Sequence, residues 1–447
     1  MFSRILIANR GEIAVRVIRA AHELGIEAVA VYSTADRDSL HVRLADRAFC
    51  IGPPSATESY LNIPRVVAAA EVANVDAIHP GYGFLSENAH FAEVCRACNI
   101  AFIGPSVDAM RTLGDKVLCK QLAARHKVPT SPGSKGRIDD DDKALTTAHE
   151  IGYPVIIKAS AGGGGRGMRV ANNDISLRSG LAAARTEARA AFGDGGVYLE
   201  KFIDHARHVE VQVLGDTHGN VVHLFERDCT MQRRKQKLIE EAPCPVLNDD
   251  ERDKLCKAAV RLAKAAGYDS AGTVEFLMDG DKNFYLMEVN TRIQVEHPVS
   301  EAITGIDLVR KQIEVAAGEK LGLTQKDIKR TGHAIEARIN AEDPEKSFAP
   351  SAGPIDRFEA PGGPGVRLDT HAHAGYRVPP HYDSLVAKLI VHRPTREAAI
   401  ATMDRALREF TIGPIKTTID LHRRLMRNGA FLRNETDINF VERLLGK

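Results

Sequence analysis

The sequence lacks an excess of charge of either sign: 60 Lys and Arg stand against 59 Asp and Glu in 447 residues, a formal net charge of +1. A broad polyanion-binding face is disfavoured on that ground, a small basic pocket is not, and nucleic acid is not an expected partner. Any apolar run approaching the roughly 18 residues of a membrane span is also missing. The N-terminal MFSRILIANRGEIAVR has only a short apolar stretch before Asn9 and Arg10, and reads as a first strand, not an export signal. A disulfide framework is not expected either. Cys50, Cys95, Cys98, Cys119, Cys229, Cys244 and Cys256 are odd in number and scattered, as reduced thiols are. The chain has no internal repeat, no low-complexity tail, no P-loop pattern and no HExxH zinc motif. What is present is ordinary globular composition, 44% hydrophobic and 27% charged, on a length that suggests about three structural units. The expectation is a cytoplasmic α/β protein.

Residues 1–115 alternate short apolar strands with helices, which predicts a mostly parallel sheet covered on both faces. Ligands collect at the carboxyl ends of such strands. Asn9-Arg10-Gly11-Glu12 and His79-Pro80-Gly81-Tyr82-Gly83-Phe84 are expected there. After Gly114-Asp115-Lys116 the texture changes, and a unit small enough to move is expected over about 133–203, within a region 116–330. From His208 the pattern turns antiparallel. His208-Val-Glu210-Val-Gln212-Val alternates strictly, with the valines on one face and the polar residues on the other. Strands are expected at 221–225, 273–278 and 284–290, a helix at about 301–317, and a mixed α+β region over 331–447.

Lys158 precedes Gly162, Gly163, Gly164 and Gly165 between two expected strands. The match to GxGxxG is a decoy, because a strand and not a helix follows. Four glycines are costly to order, and their use is a flap whose amides approach phosphate oxygens; the competing reading is a flexible surface loop. Lys158 tilts the balance toward phosphate, with Lys116 as a second contact. Glu288 and Asn290 share one strand face and Glu275 lies on a neighbouring strand, with Met287 and Val289 expected to pack behind. Oxygen donors of this kind suit Mg²⁺; isolated edge or salt-bridge positions are the alternative.

Asn290-Thr-Arg292-Ile-Gln294-Val295-Glu296-His297 concentrates polar chemistry in eight residues. Arg292 offers a planar fork for a small oxyanion, and Glu296 is a candidate general base. His297 suits a structural hydrogen bond better than metal ligation. Met231-Gln232-Arg233-Arg234-Lys235-Gln236-Lys237 reads alone as a solvated basic stretch, but Lys237 and Arg338 are better used to stabilise an anion or an enolate-like oxygen. Cys95-x-x-Cys98 has redox spacing but lies in a helix, and helical packing is the expected role. His371 and His373 carry no assignment.

Together these segments resemble biotin carboxylase, an ATP-grasp enzyme. The resemblance is carried by ILIANRGEIAVR from Ile5, HPGYGFLSEN from His79, GDK at 114–116, IIKASAGGGGRGMRV from Ile156 and RHVEVQV from Arg207. It continues through ERDCTMQRRKQKLIEEAP from Glu226, MEVNTRIQVEHPVSEAITGIDLV from Met287, HAIEARINAEDP from His333 and PPHYDSLVAKL from Pro379. It therefore covers nearly the whole chain. It implies a Rossmann-like pre-ATP-grasp domain over 1–115, an ATP-grasp region over 116–330 with a mobile glycine-rich lid, and a C-terminal domain over 331–447. By the same resemblance Lys116, Lys158, Gly162 to Gly165, Glu200, Lys201, His208 and Gln232 bind ATP. Glu275, Glu288 and Asn290 hold two Mg²⁺ ions, with Mn²⁺ as a substitute. Lys237, Arg292, Gln294, Val295 (through its backbone) and Glu296 surround bicarbonate, Arg338 faces the biotin ureido oxygen, and Tyr82, Gly83, Phe84 and Asp383 lie on the biotin side.

The implied reaction runs from bicarbonate and ATP through carboxyphosphate to N1-carboxybiotin, ADP and phosphate. Three departures stand out: Lys235 replaces a familiar histidine, Ala161 a glycine, and His381 a tyrosine. No Met-Lys-Met biotinylation sequence occurs. The expectation is a freestanding subunit of a bacterial acetyl-CoA carboxylase in fatty-acid synthesis, a homodimer, served by a separate biotin carboxyl carrier protein and carboxyltransferase subunits. Service to a propionyl-CoA or pyruvate carboxylase is the alternative. Another ATP-grasp ligase and a silent homologue are more distant readings.

Overall fold

Five short strands, β1 (Arg4–Ile7), β2 (Glu27–Ser33), β3 (Arg47–Gly52), β4 (Ala77–His79) and β5 (Ala101–Phe102), form a parallel sheet in the order β3-β2-β1-β4-β5. The computed structural model describes residues 1–134, 136–159, 168–192 and 195–446. Period two sends Ile5 and Ile7 to one face, against Ile13, Val17 and Ile18 of α1 (Gly11–Glu23). Leu6, Val29 and Ile78 go to the other, against helices Ile63–Ala73 and Ala89–Ala97. The strand order reverses between β2 and β4 about β1, which is where an open sheet leaves a crevice.

Asn9, just past β1, fixes one wall of that crevice. Its Nδ2 donates to the carbonyls of Pro80 and Tyr82, each at 2.7 Å. Gly81 has φ +61°, and a Cβ there would fall 2.8 Å from Asn9 Nδ2. The close approach that aims Tyr82 therefore needs glycine.

After a helix over Val107–Gly114 comes α2 (Lys116–Arg125), capped by Asp115, whose Oδ1 accepts from the amides of Val117 and Leu118. Beyond it β6 (Val155–Ala159) pairs antiparallel with β7 (Arg169–Ala171) on one side and β8 (Val197–Lys201) on the other. Ile157, Val155, Leu177, Leu181, Val197 and Leu199 give this small sheet a core of its own.

The largest sheet is antiparallel throughout. It contains β9 (Arg207–Gly215), β10 (Val221–Arg233), β11 (Gln236–Ala242), β12 (Ala271–Met278), β13 (Phe284–Asn290), β14 (His333–Asn340), β15 (Val366–Thr370) and β16 (Leu385–Arg393). Their order is β13-β12-β9-β10-β11-β14-β16-β15, so the sheet runs unbroken past residue 330 through the β11–β14 pair. Val209, Val211 and Val213 pack with Leu255, Ala259 and Leu262 of α3 (Asp249–Ala265), while His208, Glu210 and Gln212 are buried on the opposite face. The polar face is thus a second interior.

Several local expectations change. The strand expected at 221–225 continues to Arg233 past a bulge at Phe225, whose φ is +62°. The basic stretch around Lys235 is the turn of a hairpin between β10 and β11, and its lysine at 237 points inward. The helix expected over 301–317 is two, α4 (His297–Thr304) and α5 (Leu308–Ala316), because Gly305 at φ +72° ends the first. Leu286 and Val289, not Met287 and Val289, join the core, since a register shift between β12 and β13 breaks the period at Met287. The seven cysteines are all free thiols, and Cys95 is packed with Phe91 and Val66 as expected of a helical core residue. Among the described residues no helix is long and apolar enough to cross a membrane.

Candidate functional site

The polar face of the large sheet collects charges from sequence positions far apart. Lys237 on β11 donates to Glu210 of β9 at 2.6 Å, to Glu275 of β12 at 3.1 Å and to Glu296 at 2.5 Å. Burial alone would push its ammonium toward neutrality, but the three carboxylates outweigh that and hold it well above the ordinary lysine value. Beneath it lies Arg227 of β10, fully buried. Its guanidinium donates to Glu210 at 2.7 Å, Gln212 at 2.6 Å, Ser300 at 3.1 Å, Thr273 at 3.0 Å and Gln294 at 2.8 Å. Every donor is used, which is the condition for burying such a cation.

Glu296 follows β13 and stands just before α4, its side chain turned to the charge cluster and not to the helix amides. Its second oxygen accepts from Arg338 Nη2 at 2.8 Å, while Arg338 Nε donates to Glu240 at 2.5 Å. Burial favours the protonated Glu296, Glu210 adds to that, and Lys237, Arg338 and Arg227 reverse it, so the carboxylate sits below its ordinary range. Gln294 donates to Glu275 at 2.7 Å. Arg292 reaches Glu87 at 2.9 Å and the amide oxygen of Asn290 at 3.1 Å. The site brings Lys237, Glu296, Arg338 and Gln294 together as the sequence suggests, and Arg292 joins through Asn290. His297 is buried, its Nδ1 2.7 Å from the Gln294 carbonyl, the structural bond expected of it.

Glu275 and Glu288 are direct cross-strand partners on β12 and β13. Burial raises the Glu288 carboxyl, and the neighbouring Glu275 raises it further. His208 reaches Glu275 at 3.2 Å. Burial would discharge this imidazole, yet Glu275 foremost lifts it to about 9, so it is cationic at neutral pH. Asn290 turns its Nδ2 to Glu275 at 2.8 Å. Glu275 already has Lys237 and His208 beside it, whereas Glu288 bonds no cation among the described residues. Hard carboxylate oxygens so paired are a donor set that fits a divalent cation.

Beside them Lys116 opens α2, and Lys158 on β6 donates to Glu200 at 2.6 Å. Burial lowers the Lys158 ammonium to about 8, helped by Lys116, and against the pull of Glu288. Ser131 gives Glu200 another bond at 2.9 Å. The backbone amide of Lys201 is bound to the Pro132 carbonyl, and its ammonium to the carbonyls of Gly152 and Tyr153, each at 2.9 Å. Gln232 is buried at the end of β10. Gly162, Gly163, Gly164 and Gly165 lie outside the described residues.

On the far side of Arg338 a cavity of about 550 Å³ opens. Tyr82, Phe84, Arg292, Val295, Arg338, His381 and Asp383 all line it, together with Arg10 and Glu12 from the end of β1. Phe84 stacks on Tyr60 with ring centres 5.0 Å apart. Tyr82 bonds to Glu12, whose other oxygen lies 3.1 Å from Lys388; that lysine also donates to the Val295 carbonyl at 2.9 Å.

Sequence reasoning passed over several of these groups. Arg227, Glu240, Lys388 and Glu87 lie inside the stretches that carry the resemblance, but no local pattern gives any of them a role. Lys120, four residues after Lys116 on α2 and thus on the same face, also pairs with Glu200. The available signal was the alternation of polar residues inside otherwise apolar strands.

Comparison with known proteins agrees along the whole length. The family models described as biotin carboxylase, N-terminal domain; carbamoyl-phosphate synthase L chain, ATP binding domain; and biotin carboxylase C-terminal domain match residues 1–110, 115–324 and 336–443. A biotin carboxylase of Nostoc sp. is 55% identical over 99% of this chain and 99% of its own. A pyruvate carboxylase subunit from Methanothermobacter thermautotrophicus is 52% identical over 99% of this chain and 90% of its own. Among solved structures, the Campylobacter jejuni biotin carboxylase–β-γ-ATP complex superposes with a TM-score of 0.96 at 51% identity, covering 99% of both chains. The biotin carboxylase domain dimer of Hydrogenobacter thermophilus 2-oxoglutarate carboxylase, bound to MgADP, ADP and bicarbonate, gives 0.95 at 49% identity, covering 99% of this chain and 98% of that one. The chain belongs to the biotin carboxylase family of ATP-dependent ligases.

Proposed function

We propose that the chain carboxylates biotin with bicarbonate at the expense of ATP, and that Arg338 marks where the two half-reactions meet. The observation that carries this is its double placement: Arg338 binds Glu296 in the buried charge cluster and also lines the 550 Å³ cavity. Bicarbonate is held by Lys237, Arg292, Gln294 and the Val295 backbone, and Glu296 takes its proton. The bicarbonate oxygen attacks the γ-phosphorus of ATP, ADP leaves, and carboxyphosphate forms. Such a transfer calls for positioning and charge neutralisation more than covalent help from the protein. Lys116, Lys158, Glu200, Lys201, His208, Gln232 and the glycines 162–165 bind the nucleotide. Glu275, Glu288 and Asn290 would hold Mg²⁺ or Mn²⁺, which neutralises phosphate charge when bound.

Carboxyphosphate then gives CO₂ and phosphate, phosphate takes the biotin N1 proton, and N1 attacks CO₂. Arg338 stabilises the enolate-like ureido oxygen in that step. Tyr82, Phe84 and Asp383 shape the biotin side. The units are 1–115, 116–330 with a lid at about 133–203, and 331–447. Biotin arrives on a carrier protein in the cytoplasm, and carboxyltransferase subunits complete an acetyl-CoA carboxylase of fatty-acid synthesis around a homodimer. Service to a keto-acid carboxylase is the second reading, favoured by the likeness to a pyruvate carboxylase component.

The test is ADP release from Mg-ATP by the purified chain, with and without bicarbonate and free biotin. Strong stimulation that requires both is expected. Turnover indifferent to biotin would remove biotin as acceptor.

A further inference from the structure

Glu336 takes no part in the chemistry above, yet it is fully buried two residues before Arg338 on the same face of β14. Among the described residues neither of its carboxyl oxygens has a hydrogen-bond partner. Its cross-strand neighbour on β11 is Glu240, also fully buried, with one oxygen on Arg338 and the other unpartnered among the described residues. Directly opposed side chains in an antiparallel pair approach within about 5 Å at Cβ, and like charges so placed repel. The face they share is closed by an apolar cluster of Ala242, Ala334, Ile390, Val299 and Ile303, so no solvent screens them.

We propose that Glu240 and Glu336 share one proton, carried by Glu336, and that this neutral acid positions Arg338 by leaving Glu240 as its anionic anchor. The inference rests on the role given to Arg338 above. The surrounding charges fit it. From β14 the facing cation is Arg338, which donates to Glu240 and Glu296. From β16 it is Lys388, which is committed to Glu12 and the Val295 carbonyl. From the start of α4 the facing groups are Glu296, which adds negative charge, and the neutral His297. Neither cation bonds Glu336. Burial is the largest influence on both carboxyls: it raises Glu336 well above the carboxylate range, and Glu240 to about 7 despite Arg338. Two anions at this spot would pull Arg338 down into the sheet, away from Glu296 and the cavity.

The experiment is infrared difference spectroscopy of the full chain at neutral pH, paired with biotin-dependent ADP release and ATP binding. A protonated-carboxyl C=O band is expected in the unaltered protein, lost in Glu336→Gln and retained in Glu296→Gln. Glu336→Ala should lose about tenfold or more in biotin-dependent kcat with ATP affinity held, and Glu336→Gln, also neutral and polar, should recover most of it. Glu240→Gln should lose about tenfold or more, because Arg338 then lacks its anionic anchor. Should Glu336→Ala fail to fold, the band and the two Gln variants still decide. Absence of the Glu336 band, or a Glu336→Gln loss as deep as that of Glu240→Gln, overturns the proposal. Arg338→Met separates the two readings: unimpaired biotin turnover there would remove the role of Arg338 while leaving the band in place.

Discussion

Lys237 Nζ lies 2.5 Å from Glu296 Oε1, and both side chains are buried. A base held this close to an ammonium is ionised and fixed in direction before bicarbonate arrives. Glu296→Gln should therefore lower bicarbonate-dependent ADP release by on the order of 10²-fold, the scale of one preorganised transition-state contact. ATP affinity, measured by calorimetry, should be nearly unchanged. Equal losses in both would contradict the division of roles.

Lys158 predicts a pH effect. Its ammonium, lowered to about 8 by burial with help from Lys116, loses its proton as pH rises through that value, and with it attraction for phosphate. The apparent affinity for ATP should fall between pH 7 and 9, although bound nucleotide itself will shift the midpoint upward. Lys158→Arg, which stays charged, should flatten the profile. An identical slope in the variant would assign the titration elsewhere.

The carboxylates of Glu275 and Glu288 predict a metal effect. Glu288→Gln removes one hard oxygen anion and should raise the Mg²⁺ concentration for half-maximal turnover about tenfold, as loss of roughly 1.4 kcal/mol would. A titration of activity against Mg²⁺ at saturating ATP checks it. An unchanged half-maximal concentration would exclude Glu288 as a ligand.

Arg227 predicts a stability effect. Its removal leaves Glu210 with Lys237 alone and takes the donor from the oxygens of Gln212, Thr273 and Gln294. Breaking a buried pair from one side costs about 3–5 kcal/mol. Urea unfolding of Arg227→Met should show a loss of unfolding free energy of that size, seen as a lower midpoint at unchanged slope, and a loss no larger than that of an exposed arginine variant would refute the role.

How far the sequence carried this picture depends on where each residue finds its partners. The alternation of His208, Glu210 and Gln212 is local, and it predicted both the strand and its polar face. The Lys235 hairpin was opaque because the partners of Lys237 lie 27, 38 and 59 residues away. The sequence assigns Lys237 to an anion, but it does not show these three carboxylates around it. Glu240 and Glu336 were hidden for the same reason: they meet only through the β11–β14 pairing, which no local pattern announces. The apolar spacing continues on both sides of Gly305, so the sequence predicts one helix where the αL turn at this glycine makes two.

Radiolabelled bicarbonate followed into carboxybiotin, alongside ADP release, tests the meeting of the two substrates at Arg338 most directly. The unaltered protein should form carboxybiotin and ADP in step, and Arg338→Met should still release ADP with bicarbonate present while carboxybiotin falls by on the order of 10²-fold. Carboxybiotin formation unaffected by Arg338→Met, or no label transfer by the folded, ATP-bound native chain, would contradict that meeting.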